Sequence, residues 1–230
     1  MSQDKPGQFD FTTPVVLNFE HIFTPHTFKG DSPDKARYEA DLEIDGDSPD
    51  LRALKVEALA VAAAKWPGRD FAGENKKVDA NGNTKMQTFT FPWELGDVHA
   101  DKAKAKGKDR EQSRGKLVLK ARSKYAPKLA VIQNGTIDEF LDERRALAKE
   151  SFRNGTKVYG RVTFAAHDPV GQNPAGVHAF LDMVVATKEK AEGYKSQGGA
   201  SPAEVFKSYA GRLSTEDPTR STVTDTVDAI

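Results

Sequence analysis

The chain has 230 residues, 37% of them hydrophobic and 30% charged, and its 34 Lys and Arg against 34 Asp and Glu leave a formal net charge of zero. That balance excludes a uniformly basic nucleic-acid binder and a uniformly acidic mimic alike, and the absence of cysteine excludes disulfides, thiolate zinc sites and thiol catalysis. Neither the polar start Met1 to Gln8 nor Leu59 to Ala64, the longest apolar stretch, reads as a signal peptide or a bilayer span, so no membrane role is expected and the expected location is cytoplasmic.

The first element is a strand in which Val15, Leu17, Phe19, His21 and Phe23 alternate with Val16, Asn18, Glu20 and Ile22, a pattern that buries both faces. In Arg37 to Ile44, Tyr38, Ala40, Leu42 and Ile44 alternate strictly with Arg37, Glu39, Asp41 and Glu43, which predicts one core face and one wet face. Asp47 or Ser48 caps a helix that opens on Pro49, carries Leu51, Leu54, Ala58, Val61 and Ala62 as its apolar stripe, and stops at Pro67-Gly68. After a loop, Phe89, Phe91 and Trp93 fall on one side of a short strand and read as core. Lys102 to Arg114 has no apolar period and reads as a mobile loop.

Gly115 to Tyr125 predicts a strand with Leu117, Leu119 and Ala121 on one face and a row of cations on the other. A second helix is expected from the capping box Thr136 and Glu139 through Phe140, Leu141 and Leu147 to Asn154-Gly155. Two strands follow, Lys157 to Ala165 and Gly176 to Lys188, then a short helix from Ser201 that carries Val205, Phe206 and Tyr209, then a disordered acidic tail beyond Leu213. The fold class expected is mainly β, with five strands forming a small closed barrel decorated by inserted helices.

The neutral total conceals a segregation of charge. Asp101 to Lys128 holds eleven cations against three acids, with compensating acid in Asp31 to Glu57 and in the tail. The row Lys116, Lys120, Arg122 and Lys124 repeats cations at strand spacing, which is what phosphates along an extended polyanion require. Tyr125 ends that strand, and Tyr159 shares a polar face with Arg161, so both are candidate stacking platforms for bases. Solvated surface is the bland reading for each. The carboxylates Glu39, Asp41 and Glu43 support a second reading, a magnesium-dependent nuclease or other DNA-processing enzyme on the acidic strand around Asp41. A virion or assembly protein using the Val205 to Tyr209 helix is a third. His21, His26, His99, His167 and His178 show no metal-ligand spacing, and no phosphate loop, nucleophile elbow or dinucleotide fingerprint is present in the sequence.

Several segments together resemble the bacteriophage single-stranded DNA-binding proteins with an OB fold. They are the opening strand, ARYEADLEI followed by a helix, FRNGTKVYGRVTF, and AGVHAFLDMVVATKE as the closing strand. The resemblance spans most of Val15 to Lys188. It implies a five-stranded OB-type barrel over residues 1–212 with a flexible acidic tail over 213–230. It also implies sequence-independent coating of single-stranded DNA in phage replication or recombination within the bacterial host, with no cofactor, no metal and no catalysis. The DNA-binding residues expected are then Lys116, Lys120, Arg122, Lys124, Tyr125, Tyr159 and Arg161. Further partner expectations are phage replication proteins docking on the tail, and a second copy of the chain in a homodimer.

Overall fold

The computed structural model describes residues 6–27, 32–71, 88–171 and 173–194. The expected helix from Ser201 and the tail from 213 lie outside them. Within them, five long strands close a barrel: β2 (Val15–His26), β3 (Arg37–Asp45), β6 (Lys116–Ser123), β9 (Thr156–His167) and β10 (Ala175–Lys190). β2 pairs β3 and β3 pairs β6, both antiparallel; β6 lies parallel to β10, β10 antiparallel to β9, and β9 closes antiparallel on β2. Taken in chain order, the five run first, second, third, fifth, fourth around the barrel, a Greek-key path of the OB type.

Alternation is what drives β3, β9 and β10 into this wall. On β3, Ala40, Leu42 and Ile44 are buried; on β9, Val158, Val162 and Phe164; on β10, Val177, Ala179 and Leu181, all pointing inward. The helix α1 (Pro49–Lys65) forms as expected. Its Ser48 side chain accepts the Asp50 amide at 3.3 Å, Pro49 occupies the first turn, and Leu54, Ala58 and Ala62 are fully buried. Each fully buried leucine in this core contributes about 1.5 to 3 kcal/mol. Asp50 also anchors the chain before β2. Burial pushes its pKa up, but hydrogen bonds from the hydroxyls and amides of Thr12 and Thr13 outweigh that and leave it lowered.

Three smaller strands dress the barrel: β1 (Gln8–Asp10) on β9, β4 (Phe89–Thr90) on β10, and β5 (Trp93–Leu95) on β6. The short strand expected around Phe89 to Trp93 is thus two strands, broken at Phe91-Pro92.

Two expectations are corrected. Thr136 to Gly155 is not a helix. Thr136–Phe140 is strand β8, paired antiparallel with β7 (Lys128–Gln133), and Asp142–Glu150 is a 3₁₀ stretch. The overriding signal is Asn134-Gly135, with φ of 52° and 77°, the left-handed pair that a two-residue hairpin turn demands. Thr136 spends its hydroxyl on the Gln133 carbonyl at 2.7 Å instead of capping a helix.

Nor is Lys102 to Arg114 a loose loop. It begins inside α2 (Gly96–Lys104) and ends past a 3₁₀ turn at Glu111–Ser113. Arg114 ties the two together, meeting Asp101 at 2.7 Å and Glu111 at 2.5 Å. No apolar period was needed, because polar contacts hold this segment across the outside of β3. The outward face of β3 is therefore not wet. Glu43, on that face, is 1% exposed. It accepts Asn18 Nδ2 at 2.6 Å, Ser113 Oγ at 2.8 Å and the Tyr194 hydroxyl, with Lys116 Nζ 3.5 Å away, while Arg110 donates to Asn18 Oδ1 at 2.6 Å.

This network joins β2, β3, β6, the insertion and the end of the β10 arm at one carboxylate. Glu43→Ala leaves the largely buried Lys116 ammonium with only Asp45 at 3.8 Å and several donors unpaired, and we expect a loss of about 3 kcal/mol in urea unfolding. Ser113→Ala, which removes a single hydrogen bond, should cost only about 1 kcal/mol in the same measurement.

Candidate nucleic-acid interface

β10 runs parallel first to β6 and then to β7, which are successive segments along its edge. From Ala121 to Lys128 the chain advances seven positions while β10, from Ala179 to Met183, advances four. The surplus residues are thrown outward as the bend Lys124 to Pro127, and Tyr125 at its crest is 83% exposed. Its amide is satisfied by Ser123 Oγ at 3.0 Å. β10 carries its own irregularity between Leu181 and Met183, after which the strand pairs onward with Arg161.

Between that bend and the outer faces of β9 and β10 lies an open groove of about 790 Å³. Six cations line it, Arg37, Lys120, Arg122, Lys124, Lys128 and Arg161, against one carboxylate, Asp182. Tyr125, Phe180 and His178 supply flat rings to the same lining, Phe180 being 38% exposed. Asp182 is itself engaged, accepting Thr163 Oγ1 at 2.5 Å.

Of the seven residues expected from sequence, the groove gathers five: Lys120, Arg122, Lys124, Tyr125 and Arg161. Lys116 stands apart. It is only 16% exposed, and it faces Glu43 at 3.5 Å, Asp45 at 3.8 Å and the Tyr194 hydroxyl at 3.2 Å. The row of four cations expected on one wet face is thus divided, because the acidic positions of β3 sit directly across from it: Glu39 opposite Arg122, Asp41 opposite Lys120, Asp45 opposite Lys116. Tyr159 is partly buried on the outward face of β9, opposite Val185, two residues from Arg161 but outside the groove lining.

The cations differ in their partners. Lys120 meets Glu94 at 2.7 Å, Arg122 Nε meets Glu39 Oε1 at 3.1 Å, and Arg161 holds Asp10 through two hydrogen bonds of 2.5 and 2.6 Å. Arg37, Lys124 and Lys128 make no ion pair with any described residue. Hydrogen bonding from His99 holds the Glu94 pKa far below the usual carboxylate range, against the opposing effect of burial and with help from Lys102 and Lys120. His178 is pushed down to about 4 by burial, then by His167, Arg37 and Arg122.

No protein-family model matches the sequence, and no curated protein matches it. Solved structures do match the fold. A single-stranded DNA-binding protein from bacteriophage Enc34 superposes with a TM-score of 0.54 at 15% identity, covering 88% of this chain and 91% of that one. The structure of the Enc34 protein in complex with ssDNA gives 0.58 at 14% identity, over 84% and 91%. Its C-terminal truncation gives 0.58 at 13% identity, over 81% and 88%. What is shared is the barrel fold. The likeness to phage single-stranded DNA-binding proteins read from sequence segments is met at that level.

Sequence reading missed Arg37, Lys128, Phe180 and His178. The last two were legible, since His178, Phe180 and Asp182 alternate with the buried Val177, Ala179 and Leu181. Arg37 and Lys128 were not, because they open strands whose ends only the barrel brings together.

On the other side of Lys120 and Arg122, Glu39, Asp41, Glu94 and His99 line a cleft of about 270 Å³ together with Lys102, Lys106, Lys108 and Arg110. Among the described residues no group of three metal-ligating side chains forms there or elsewhere. Burial raises the Asp41 pKa from 3.8 to about 6, with Lys120, His99 and Arg122 opposing the shift and Glu94 adding to it. A carboxyl raised in the folded state is penalised when charged, so the penalty is complete above about pH 6 and absent below the ordinary value of 3.8. Asp41→Asn should therefore stabilise the protein by about 1 to 2 kcal/mol at pH 8, with the gain disappearing by about pH 4, as read by urea unfolding at the two pH values.

Proposed function

We propose that the chain binds single-stranded DNA without sequence preference, laying the strand in the groove between the Lys124 to Pro127 bend and strands β9 and β10. The observation that carries this reading is the convergence of six cations and exposed flat rings in one open groove against a single, already engaged carboxylate. The cations take phosphates and release their counterions; the rings of Tyr125 and Phe180 take base faces, which are available only in an unpaired strand. The fold likeness to phage single-stranded DNA-binding proteins supports the reading, and coating of exposed strands during phage replication or recombination is the role it suits.

Arg37, Lys124 and Lys128 lead electrostatically, since phosphates reach them without displacing an ion-pair partner among the described residues. Lys120, Arg122 and Arg161 act second, by exchanging Glu94, Glu39 and Asp10 for phosphate or by holding the groove wall in place. No group in this mechanism makes or breaks a covalent bond, so the protein acts as a binder. Its acidic strand is poorly placed for a nuclease centre: Glu43 is enclosed by donors and Glu39 faces Arg122.

The decisive variant is Lys124→Glu with Lys128→Glu, two exposed positions outside the internal ion pairs. Filter binding to oligo-dT at low salt should weaken at least tenfold, and the slope of log affinity against log salt should fall by about 1.4, near 0.7 for each phosphate that is no longer neutralised. Unchanged affinity would remove the groove from consideration. Incubation of single-stranded DNA with the protein and magnesium should leave the DNA intact on a denaturing gel; cleavage would favour the acidic-strand enzyme.

A further inference from the structure

We infer that a bound strand does not end at Arg122 but continues into a second groove, where Phe91 and Trp93 form a separate base-binding subsite. This rests on the reading of the first groove as a single-stranded DNA track. The second groove, of about 540 Å³, is lined among others by Phe91, Trp93 and Lys55, and it shares Lys120, Arg122 and His178 with the first. The two grooves therefore adjoin at a pair of cations and a ring.

Phe91 and Trp93 lie stacked, with centroids 4.7 Å apart and planes 12° from parallel. They end an aromatic ladder rooted in the core: Trp66 meets the buried Phe89 edge-on at 5.5 Å, and Phe89 meets Phe91 at 5.1 Å. The bend between them is fixed as well, because the Pro92 carbonyl accepts the Lys120 amide at 2.7 Å. A pair held this way loses little side-chain freedom when a base stacks on it. Lys55 on α1 adds a cation at the groove. Flat rings flanked by cations suit consecutive nucleotides of an unpaired strand; a duplex, whose bases already stack on each other, offers the rings nothing.

Trp66 and Trp93 are the two tryptophans of the chain, so a full-length Trp66→Phe protein reports on Trp93 alone. End-labelled dT4 and dT16 bracket the span of one barrel. By anisotropy both should bind, and only dT16 should quench Trp93 emission. Lys55→Glu, a change at a half-buried position outside the core, should weaken dT16 about tenfold and leave dT4 unchanged; it keeps the test open if the Trp66 variant folds poorly. Binding of dT16 with Trp93 emission unmoved and no effect of Lys55→Glu would overturn the second subsite while leaving the first groove standing. Absence of anisotropy change with either oligonucleotide would overturn both.

Discussion

The register of β10 is the constraint on which the rest depends. One strand of sixteen residues closes the barrel on β9 along one edge, and along the other it satisfies β4, β6 and β7 in turn. Backbone amides and carbonyls buried in such a wall must be paired, so β10 cannot drift relative to either side. Four of its residues nevertheless face seven of the chain between β6 and β7. The surplus has nowhere to go but outward, and Pro127, which has no amide to donate, sits where the ladder resumes. The exposed tyrosine, the lysines at either end of the bend and the groove beneath them all follow from that mismatch. The site is thus a product of the sheet's geometry rather than of a loop laid on top of it.

Charge is distributed by the same sheet. β3 and β6 pair in register so that acid and base face each other across the outer surface, and this pairing is why a neutral chain can carry a dense run of lysines. Toward Lys116 the pairing closes completely, with Glu43 and Tyr194 covering the lysine. Burial there, reinforced by Glu43, raises the pKa of the Tyr194 hydroxyl, so it stays a proton donor to the carboxylate at any physiological pH. Toward Lys124 the cross-strand acidic partners run out, because β3 begins at Arg37; Asp34, just before that strand, acts on Lys124 only through space. A gradient results along one strand, from cations used for folding to cations open to solvent, and the groove lies at the open end.

The parts legible in the sequence were those where local pattern and tertiary role agree. The alternation in β3, β9 and β10 and the Ser48-Pro49 start of α1 carry their structure in a few consecutive residues. Two misreadings have different physical origins. At Thr136 to Gly155 a capping-box pattern competed with Asn134-Gly135, and the turn prevailed because its left-handed residues nucleate a hairpin whose apolar side, Leu129 and Val131, is buried. At Lys102 to Arg114 the segment is held by ion pairs and by hydrogen bonds to Asn18 and Glu43, partners about 70 to 90 residues away that no local periodicity encodes. For the candidate site, the cations of β6 were visible as a row, but which of them face solvent depended on the register with β3.

The sequence tolerance proposed above would have a structural source in this arrangement. The groove presents cations and ring faces, neither of which reads a base edge. His178 fits the same logic. With its pKa pushed down to about 4 it is neutral at physiological pH, stacked on His167 at 3.9 Å with Phe180 at 6.5 Å. At the junction of the two grooves the protein therefore offers a flat uncharged ring beside Lys120 and Arg122 rather than a third cation. On the proposed reading, a strand crossing that point would meet attraction for both phosphate and base, and no group there reads a base edge.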